Sequence, residues 1–441
     1  MTTTSLAVSF SEDRLTALPV RRAAGDMLAM VVLTLALLFS FLQYCFERND
    51  VIRLVPVALL IMATFVLLLV STQEKRRAMF LGVGRAATIA LITIVSVPPL
   101  ISSFYRTNSY SFQYGVVMVV TLIAVRILLS GIGLEGLLLC YFWATTTGIL
   151  IVVGITFDDL LASIGSTRYA PSFFDPNRIG FFAVAAIPAQ LWFATRGTLN
   201  RFALIAAIVC VCVLVAASSR GSIGALLLAV AVISTICLLR LLRFSSFAIS
   251  RNKLFVALTF LCVLAVIIAA EQPAFDSAGN YLRTKLELDS RVRGLNSGFT
   301  GRTTNWAAVV DVLPKTFWLS GNGYRSSEQD FTFSVDNGYL AGSYELGVFA
   351  TVIVVAKYLL FLGLLIAAYV TRRSASSACL LALASTLVIF LANAFVHRVL
   401  FGSGDPASLL ALFMFVSNRQ DIFGNYPRSR SSVVLTQEHI R

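Results

Sequence analysis

Long apolar runs recur along almost the whole chain, and they restrict the fold classes open to it. Hydrophobic residues make up 58% of the sequence and charged residues only 13%. One helix needs about 20 consecutive apolar residues to span a bilayer core, and lipid tolerates no exposed irregular backbone. We therefore predict an all-α, polytopic transmembrane helical bundle. Its spans, about 12 in number, are expected at residues 26–46, 54–71, 86–103, 114–130, 134–154, 179–195, 202–218, 222–242, 254–270, 347–370, 377–396 and 403–417.

The distribution of basic residues predicts the orientation of this bundle. Cytoplasmic loops favour Lys and Arg, and a cytoplasmic N-terminus places most of the chain's Lys and Arg in cytoplasmic segments. Both termini are then cytoplasmic, and the long polar segment is extracytoplasmic, facing the periplasm. The predicted division is an N-terminal tail at 1–25, helices 1–9 at 26–270, the long loop between helices 9 and 10 at 271–346, helices 10–12 at 347–417, and a C-terminal tail at 418–441.

Composition also bears on ligands. The net charge of +13 follows from this orientation, so it does not predict a nucleic-acid partner. The seven cysteines lie in or beside predicted spans, and the two histidines are His397 and His439. These residues have no metal-ligand spacing. We expect neither a metal nor a cofactor.

The long loop contains the main local signals. Residues 303–312 predict a short helix with Trp306, Val309, Val310 and Leu313 on one face, which Pro314 would end. Residues 321–324, Gly-Asn-Gly-Tyr, predict a turn. A loop this long must pack on the bundle, and such loops are usually binding elements or lids.

Three arginines are candidates for an anion site at the outer face. Arg302 opens the short helix, where free N–H groups and the arginine fork both suit phosphate; the alternative is a solvated loop arginine. Arg220 lies in the tight turn 218–221, where it could bind a lipid headgroup or simply snorkel. Arg178 follows Asp175 and Asn177, a pair typical of a helix-entry cap.

The sequence also contains other ionisable residues in or near the predicted spans. Asp336, beside Asn337, could be a general base toward a hydroxyl, or the pair could be a cap or salt-bridge partner. His397 could also be a base, although a single histidine at a helix end is more often structural. Lys357 falls mid-span and should face the bundle interior. Arg126 is expected to snorkel from the end of its helix.

These motifs occur in a characteristic order. Phe-x-Asp-Pro-Asn (173–177) and Ser-Ser-Arg-Gly (218–221) each precede or open a helix; Gly-Arg…Trp (301–306), Gly-Asn-Gly-Tyr (321–324), Asp-Asn-Gly-Tyr-Leu (336–340) and Glu-x-Gly (345–347) follow in the long loop. The chain resembles the O-antigen ligase / polysaccharide polymerase family of Wzy/WaaL-type membrane glycosyltransferases, most closely over residues 170–355.

The resemblance implies a metal-independent transfer of glycan from an undecaprenyl-pyrophosphate carrier, at the periplasmic face of a bacterial inner membrane. Arg220, Arg302 and Asp336 would be catalytic, the two arginines binding the pyrophosphate. Arg178, Asn177, Asn337 and Trp306 are the expected substrate-binding residues. Expected partners are the carrier-linked glycan, the growing polysaccharide acceptor, membrane lipids, and a chain-length regulator or export complex.

Family ligases typically have His-Asn where this chain has Asp336-Asn337, and this departure favours a repeat-unit polymerase in exopolysaccharide or O-antigen biosynthesis. The alternatives are an O-antigen ligase that transfers glycan to lipid A-core and a lipid-linked oligosaccharide flippase or transporter.

Overall fold

The computed structural model describes residues 13–43, 50–165, 168–171, 175–196, 199–243, 302–371, 377–402 and 404–423. All regular elements in these ranges are helical. The helices are α1 (Asp13–Leu42), α2 (Asp50–Val70), α3 (Gln73–Val83), α4 (Ala86–Tyr105), α5 (Ser109–Ile155), α6 (Phe157–Gly165), α7 (Pro176–Ala194), α8 (Asn200–Ala216), α9 (Arg220–Arg243), α10 (Arg302–Val312), α11 (Ser327–Asp330), α12 (Gly338–Glu345), α13 (Val348–Thr371), α14 (Ser377–Asn393), α15 (Pro406–Val416) and α16 (Arg419–Phe423), with a 3-10 turn at Leu313–Lys315.

Four of the described helices are long and apolar enough to cross a membrane. They are Ala86–Tyr105, Ser109–Ile155, Arg220–Arg240 and Val348–Thr371. Shorter apolar helices lie at Asp26–Leu42, Leu54–Val70, Asn200–Ala216, Ser377–Asn393 and Pro406–Val416. The all-helical class is confirmed for the described residues. The count of spans, the orientation and the domain limits stay predictions, and the predicted span 254–270 and the loop residues 271–301 lie outside the described ranges.

Helix α5 contains a break where the sequence predicted two spans. Its 47 residues are interrupted at Gly133, whose φ of 76° and ψ of 171° are not helical. Glycine adopts a positive φ without the steric cost that a Cβ imposes. The break lies between the predicted spans 114–130 and 134–154.

The centre of the bundle consists of α5, α7, α14 and α15. Helix α7 packs against α5, α8 and α14, and α9 packs against α14. Every residue of α15 is buried. The start of α7, the start of α9 and the end of α14 meet at one end of the bundle, which we call the site end. There the Ser219 hydroxyl lies 3.5 Å from the carbonyl oxygen of Asn177.

A buried ion pair lies beyond the far end of α15, and it corrects one expectation. Arg126 does not snorkel: it is 1% exposed, and its Nη1 lies 2.7 Å from Oδ2 of Asp421. Burying a guanidinium is costly unless a carboxylate compensates it, and α16 supplies that carboxylate. Lys357 is half-buried as expected, and its Nζ donates to the carbonyl of Ser417 at 2.6 Å.

The described part of the long loop packs on the bundle, as predicted. Tyr324 is 3% exposed, and its hydroxyl donates to the carbonyl of Val95 at 2.9 Å. In α4 that carbonyl has no helical partner, because the residue four positions on is Pro99, which lacks an N–H. The turn at 321–324 is also present, with φ of 104° at Gly323.

Candidate functional site

The start of α7 is fixed by local polar contacts. Asp175 is the N-cap, and its Oδ1 accepts from the backbone N–H of Asn177 at 2.8 Å. Asn177 in turn accepts from Nη2 of Arg168 at 2.5 Å, while Nε of Arg168 donates to the carbonyl of Ala217 at 2.6 Å. Asp175 is therefore a helix cap, as the turn chemistry indicated. Arg178 follows in the first turn of α7, with an exposed side chain.

A chain of buried polar groups joins the start of α9 to α14. Ser219 precedes Arg220, the first residue of α9, and its Oγ contacts Oγ of Ser222 at 3.0 Å. Ser222 donates to Oδ1 of Asn393 at 3.0 Å. These contacts hold the start of α9 beside the end of α14. Arg220 is thereby placed at the site end with its side chain half-buried.

Arg302 and Asp336 meet at the site end, although they are 34 positions apart in the sequence. Nε of Arg302 lies 3.4 Å from Oδ2 of Asp336. The other carboxylate oxygen, Oδ1, accepts from the hydroxyl of Ser334 at 2.7 Å. Within the described residues, neither Nη atom of Arg302 has a hydrogen-bond partner. Asp336 thus lies at ion-pair distance from Arg302, and the Nη groups of Arg302 are available to an anion.

The next residue, Asn337, is used by the helix that follows it. Its Oδ1 accepts from the backbone N–H groups of Tyr339 and Leu340 at 3.0 and 3.1 Å, which makes it the N-cap of α12. This cap explains Asn337 structurally. The N–H of Gly338 donates to the carbonyl of Ala394 at 2.7 Å. The start of α12 is therefore locked onto the segment that connects α14 and α15.

His397 lies in that connecting segment and faces several charges of the site. Its ring stacks on Phe181 of α7 at 5.7 Å between centroids. Its pKa is lowered from 6.5 to about 4, first by burial and then by the positive charge of Arg302; Arg178 lowers it further and Asp175 opposes the change. Arg302 and Arg178 therefore act on one imidazole, although they belong to α10 and α7.

Trp306 contributes to packing at this position. Its ring meets Phe395 edge-to-face, with centroids 5.7 Å apart. The buried side of α10 is Val309, which packs with Val335 and Ala341. Val310 is 50% exposed whereas Val309 is buried, so the prediction that both lie on one face of the helix was wrong. Successive helical positions point about 100° apart, so Val310 points away from the side on which Val309 packs.

A separate ion-pair network fastens the loop to the bundle beside this site. Arg398 donates through Nη1 to Glu328 at 2.6 Å and through Nη2 to Glu345. Arg106 holds Asp330 with both Nη atoms, each at 2.9 Å. These arginines use their forks on carboxylates of the protein, so their role is to fix the loop.

The structure thus brings most of the predicted site residues to one end of the bundle. Arg302 pairs with Asp336, and Arg178 shares the environment of His397 with Arg302. Asn177 and Asn337 act in helix starts, and Trp306 packs on Phe395. Sequence reasoning missed the polar chain through Ser219, Ser222 and Asn393; the available signal was a polar side chain inside an apolar span.

No group of three or more His, Cys, Asp or Glu suited to a metal ion occurs among the described residues. The polar side chains converging on the site are arginines, carboxylates, hydroxyls, amides and one imidazole. The cationic groups suit a phosphate-bearing ligand, because guanidinium matches the geometry of phosphate oxygens.

A helical membrane protein with an arginine-rich polar site at one end of its bundle is the class that these features define. Residues 205–355 match the family model described as O-antigen ligase. This match confirms the resemblance to the O-antigen ligase / polymerase family over that segment. No curated protein matches the chain. The match includes Arg220, Arg302 and Asp336, whereas Arg178 and His397 lie outside it. It supports a membrane glycosyltransferase-like enzyme that uses lipid-linked glycans.

Proposed function

We propose that this chain is a polysaccharide polymerase that transfers undecaprenyl-pyrophosphate-linked repeat units to a growing glycan. The reaction would occur at the periplasmic face of the inner membrane, in exopolysaccharide or O-antigen biosynthesis. The observation that carries the proposal is the arrangement of Arg302, whose Nε lies 3.4 Å from Oδ2 of Asp336 and whose Nη atoms have no hydrogen-bond partner among the described residues. Arg178 adds a second positive charge, and both arginines lower the pKa of His397.

The chemistry requires stabilisation of a leaving group more than activation by a metal. As the bond from the anomeric carbon to the diphosphate oxygen breaks, its electron pair moves onto the diphosphate. Donors fixed in advance stabilise such developing charge without having to reorganise. Arg302 and Arg220 would bind the diphosphate oxygens, with Arg178 contributing to the positive potential.

Asp336 has a defined part in this arrangement. Its Oδ2 faces Arg302 and its Oδ1 accepts from Ser334, so both oxygens already have partners. A carboxylate with both oxygens occupied is better suited to orient an arginine than to accept a proton from a hydroxyl. We therefore assign Asp336 as a positioning residue for Arg302.

The variants Arg302→Ala and Arg220→Ala test the proposal. Purified protein would be incubated with a carrier-linked repeat unit, and chain length would be read by gel electrophoresis. Loss of one charge-stabilising donor costs about 10²- to 10³-fold in rate, so long polymer should disappear. Arg302→Lys should remain impaired, because an ammonium cannot make the bidentate contact.

Arg201→Ala is the matched control, since Arg201 is exposed at the start of α8, away from the site end. It should polymerise like the unaltered protein. Normal chain lengths in Arg302→Ala, with comparable amounts of protein in the membrane, would remove the catalytic assignment.

A ligase is the second candidate, and the description of the matched family favours it. The same assay separates the two enzymes. Elongation of the carrier-linked repeat unit without lipid A-core identifies a polymerase, whereas product formation only after core is added identifies a ligase. A transporter gains little support, because the mid-helix Lys357 already has a structural partner in the carbonyl of Ser417.

A further inference from the structure

His397 combines an electropositive setting with an uncommitted imidazole. Among the described residues, neither of its ring nitrogens makes a hydrogen bond. Its ring lies against Phe181, and its neighbouring charges are Arg302 of α10, Asp175 and Arg178 of α7, and the adjacent Arg398. His397 is half-buried, so a ring nitrogen without a partner in the protein can accept a proton from a bound ligand.

The segment that carries His397 is held firmly in place. The backbone N–H of His397 donates to the carbonyl of Asn393 at 2.8 Å, and the N–H of Gly338 donates to the carbonyl of Ala394 at 2.7 Å. A Cβ built on Gly338 would come within 2.9 Å of the carbonyl oxygen of His397. The backbone at His397 is therefore fixed against the start of α12, directly after Asp336 and Asn337.

We propose that His397 is the proton acceptor for the attacking hydroxyl of the acceptor glycan. This inference rests on the proposed function and adds a catalytic residue to it. It also assigns the place of the acceptor, whose hydroxyl must lie between the imidazole and the diphosphate bound at Arg302.

In this step one carbon–oxygen bond forms as another breaks. A lone pair of the acceptor oxygen forms the new bond to the anomeric carbon, while the pair of the old carbon–oxygen bond leaves on the diphosphate. The proton of the acceptor hydroxyl passes to a nitrogen of His397 and then to water. Because the transition state of glycosyl transfer resembles an oxocarbenium ion, the hydroxyl becomes strongly acidic as it bonds, and a weak base is sufficient.

The surroundings of His397 keep the imidazole in its accepting form. Burial and the two arginines lower its pKa to about 4, so the ring is neutral above about pH 4 and becomes protonated below it. An ordinary histidine, with a pKa near 6.5, would be mostly protonated at pH 5.5. The rate of the unaltered protein should therefore change little between pH 7.5 and 5.5.

The test compares His397→Gln, His397→Ala and Val399→Ala, a control in the same segment, using the purified full-length protein and a carrier-linked repeat unit. General base catalysis contributes about 10²- to 10⁴-fold, so His397→Gln should lose at least about 10²-fold in kcat. Its affinity for the carrier-linked repeat unit should remain within about threefold of the unaltered protein. Added imidazole should restore part of the activity of His397→Ala, and Val399→Ala should be nearly normal.

Several results would overturn the assignment. One is a rate for His397→Gln within about threefold of the unaltered protein; others are loss of donor binding in that variant, or an unaltered-protein rate that halves near pH 6.5. Failure of the proposed function would look different. In that case Arg302→Ala would transfer glycan normally, whatever His397→Gln does.

Discussion

The contact between Tyr324 and α4 offers a sharp test of how the long loop docks on the bundle. The Tyr324 hydroxyl donates to the carbonyl of Val95 at 2.9 Å. Both side chains are buried, at 3% and 0% exposure. In an ordinary helix the N–H of residue 99 would bond this carbonyl, but residue 99 is proline. Tyr324→Phe would leave the carbonyl buried without its donor.

The expected cost follows from that geometry. Leaving a buried acceptor unsatisfied costs about 1–3 kcal/mol, and the change removes one oxygen without creating a large cavity. In a Pro99→Ala background, the backbone N–H gained at position 99 can bond the Val95 carbonyl. Tyr324→Phe should then cost at least about 1 kcal/mol less, a coupling within the range for residues that share one partner.

The measurement is equilibrium unfolding in mixed detergent micelles for the unaltered protein, the two single variants and the double variant. Tyr105→Phe is the control, because Tyr105 is 75% exposed at the end of α4, and it should change stability by less than about 0.5 kcal/mol. If Tyr324→Phe costs the same whether residue 99 is proline or alanine, the hydroxyl does not substitute for the missing helical N–H, and the reasoning is wrong.

Two further predictions concern packing elsewhere. Asp421→Asn should lower the free energy of unfolding by about 3–5 kcal/mol, because it leaves Arg126 buried and uncompensated. Asp158→Asn, an exposed control on α6, should have little effect in the same unfolding assay. Equal stability of the two variants would contradict the ion pair. Gly338→Ala should lower the free energy of unfolding by about 1–3 kcal/mol and reduce transfer in the polymerisation assay, since its Cβ would meet backbone atoms at 2.9–3.1 Å. A Cβ at Gly363 on α13 meets no atom of the described structure within 4 Å. Gly363→Ala should therefore be neutral. A Gly338→Ala variant as stable and active as Gly363→Ala would show that this close approach is unimportant.

Much of the secondary structure could be predicted from sequence, because apolar runs and caps are local signals. The cap at Asp175, the short helix from residue 302 and the turn at 321–324 all depend on residues within a few positions of each other. The break at Gly133 is likewise a property of one residue. The partner of Arg126 could not be predicted in this way. It lies 295 positions away in α16, and periodicity carries no information about contacts at that distance.

The site was predictable as a set of residue types but not as an arrangement. Turn motifs and helix starts identified Arg178, Arg220 and Arg302 as candidates. Arg302, which begins α10, meets Asp336, which precedes α12, and both lie near the segment at His397. This arrangement depends on how α7, α10, α12 and α14 pack. His397 itself looked structural, because a single histidine at a helix end says nothing about the charges that other helices bring to it.

The way each arginine uses its guanidinium separates ligand-binding candidates from structural ones. Arg106 and Arg398 engage carboxylates with both Nη atoms, so neither can offer a fork to a diphosphate without breaking the loop's attachment. Arg302 lies at ion-pair distance from Asp336, with 3.4 Å between Nε and Oδ2, and its Nη atoms have no hydrogen-bond partner among the described residues. Because a bidentate contact requires two parallel N–H groups of one guanidinium, these contacts favour Arg302 over Arg106 and Arg398 as the diphosphate ligand.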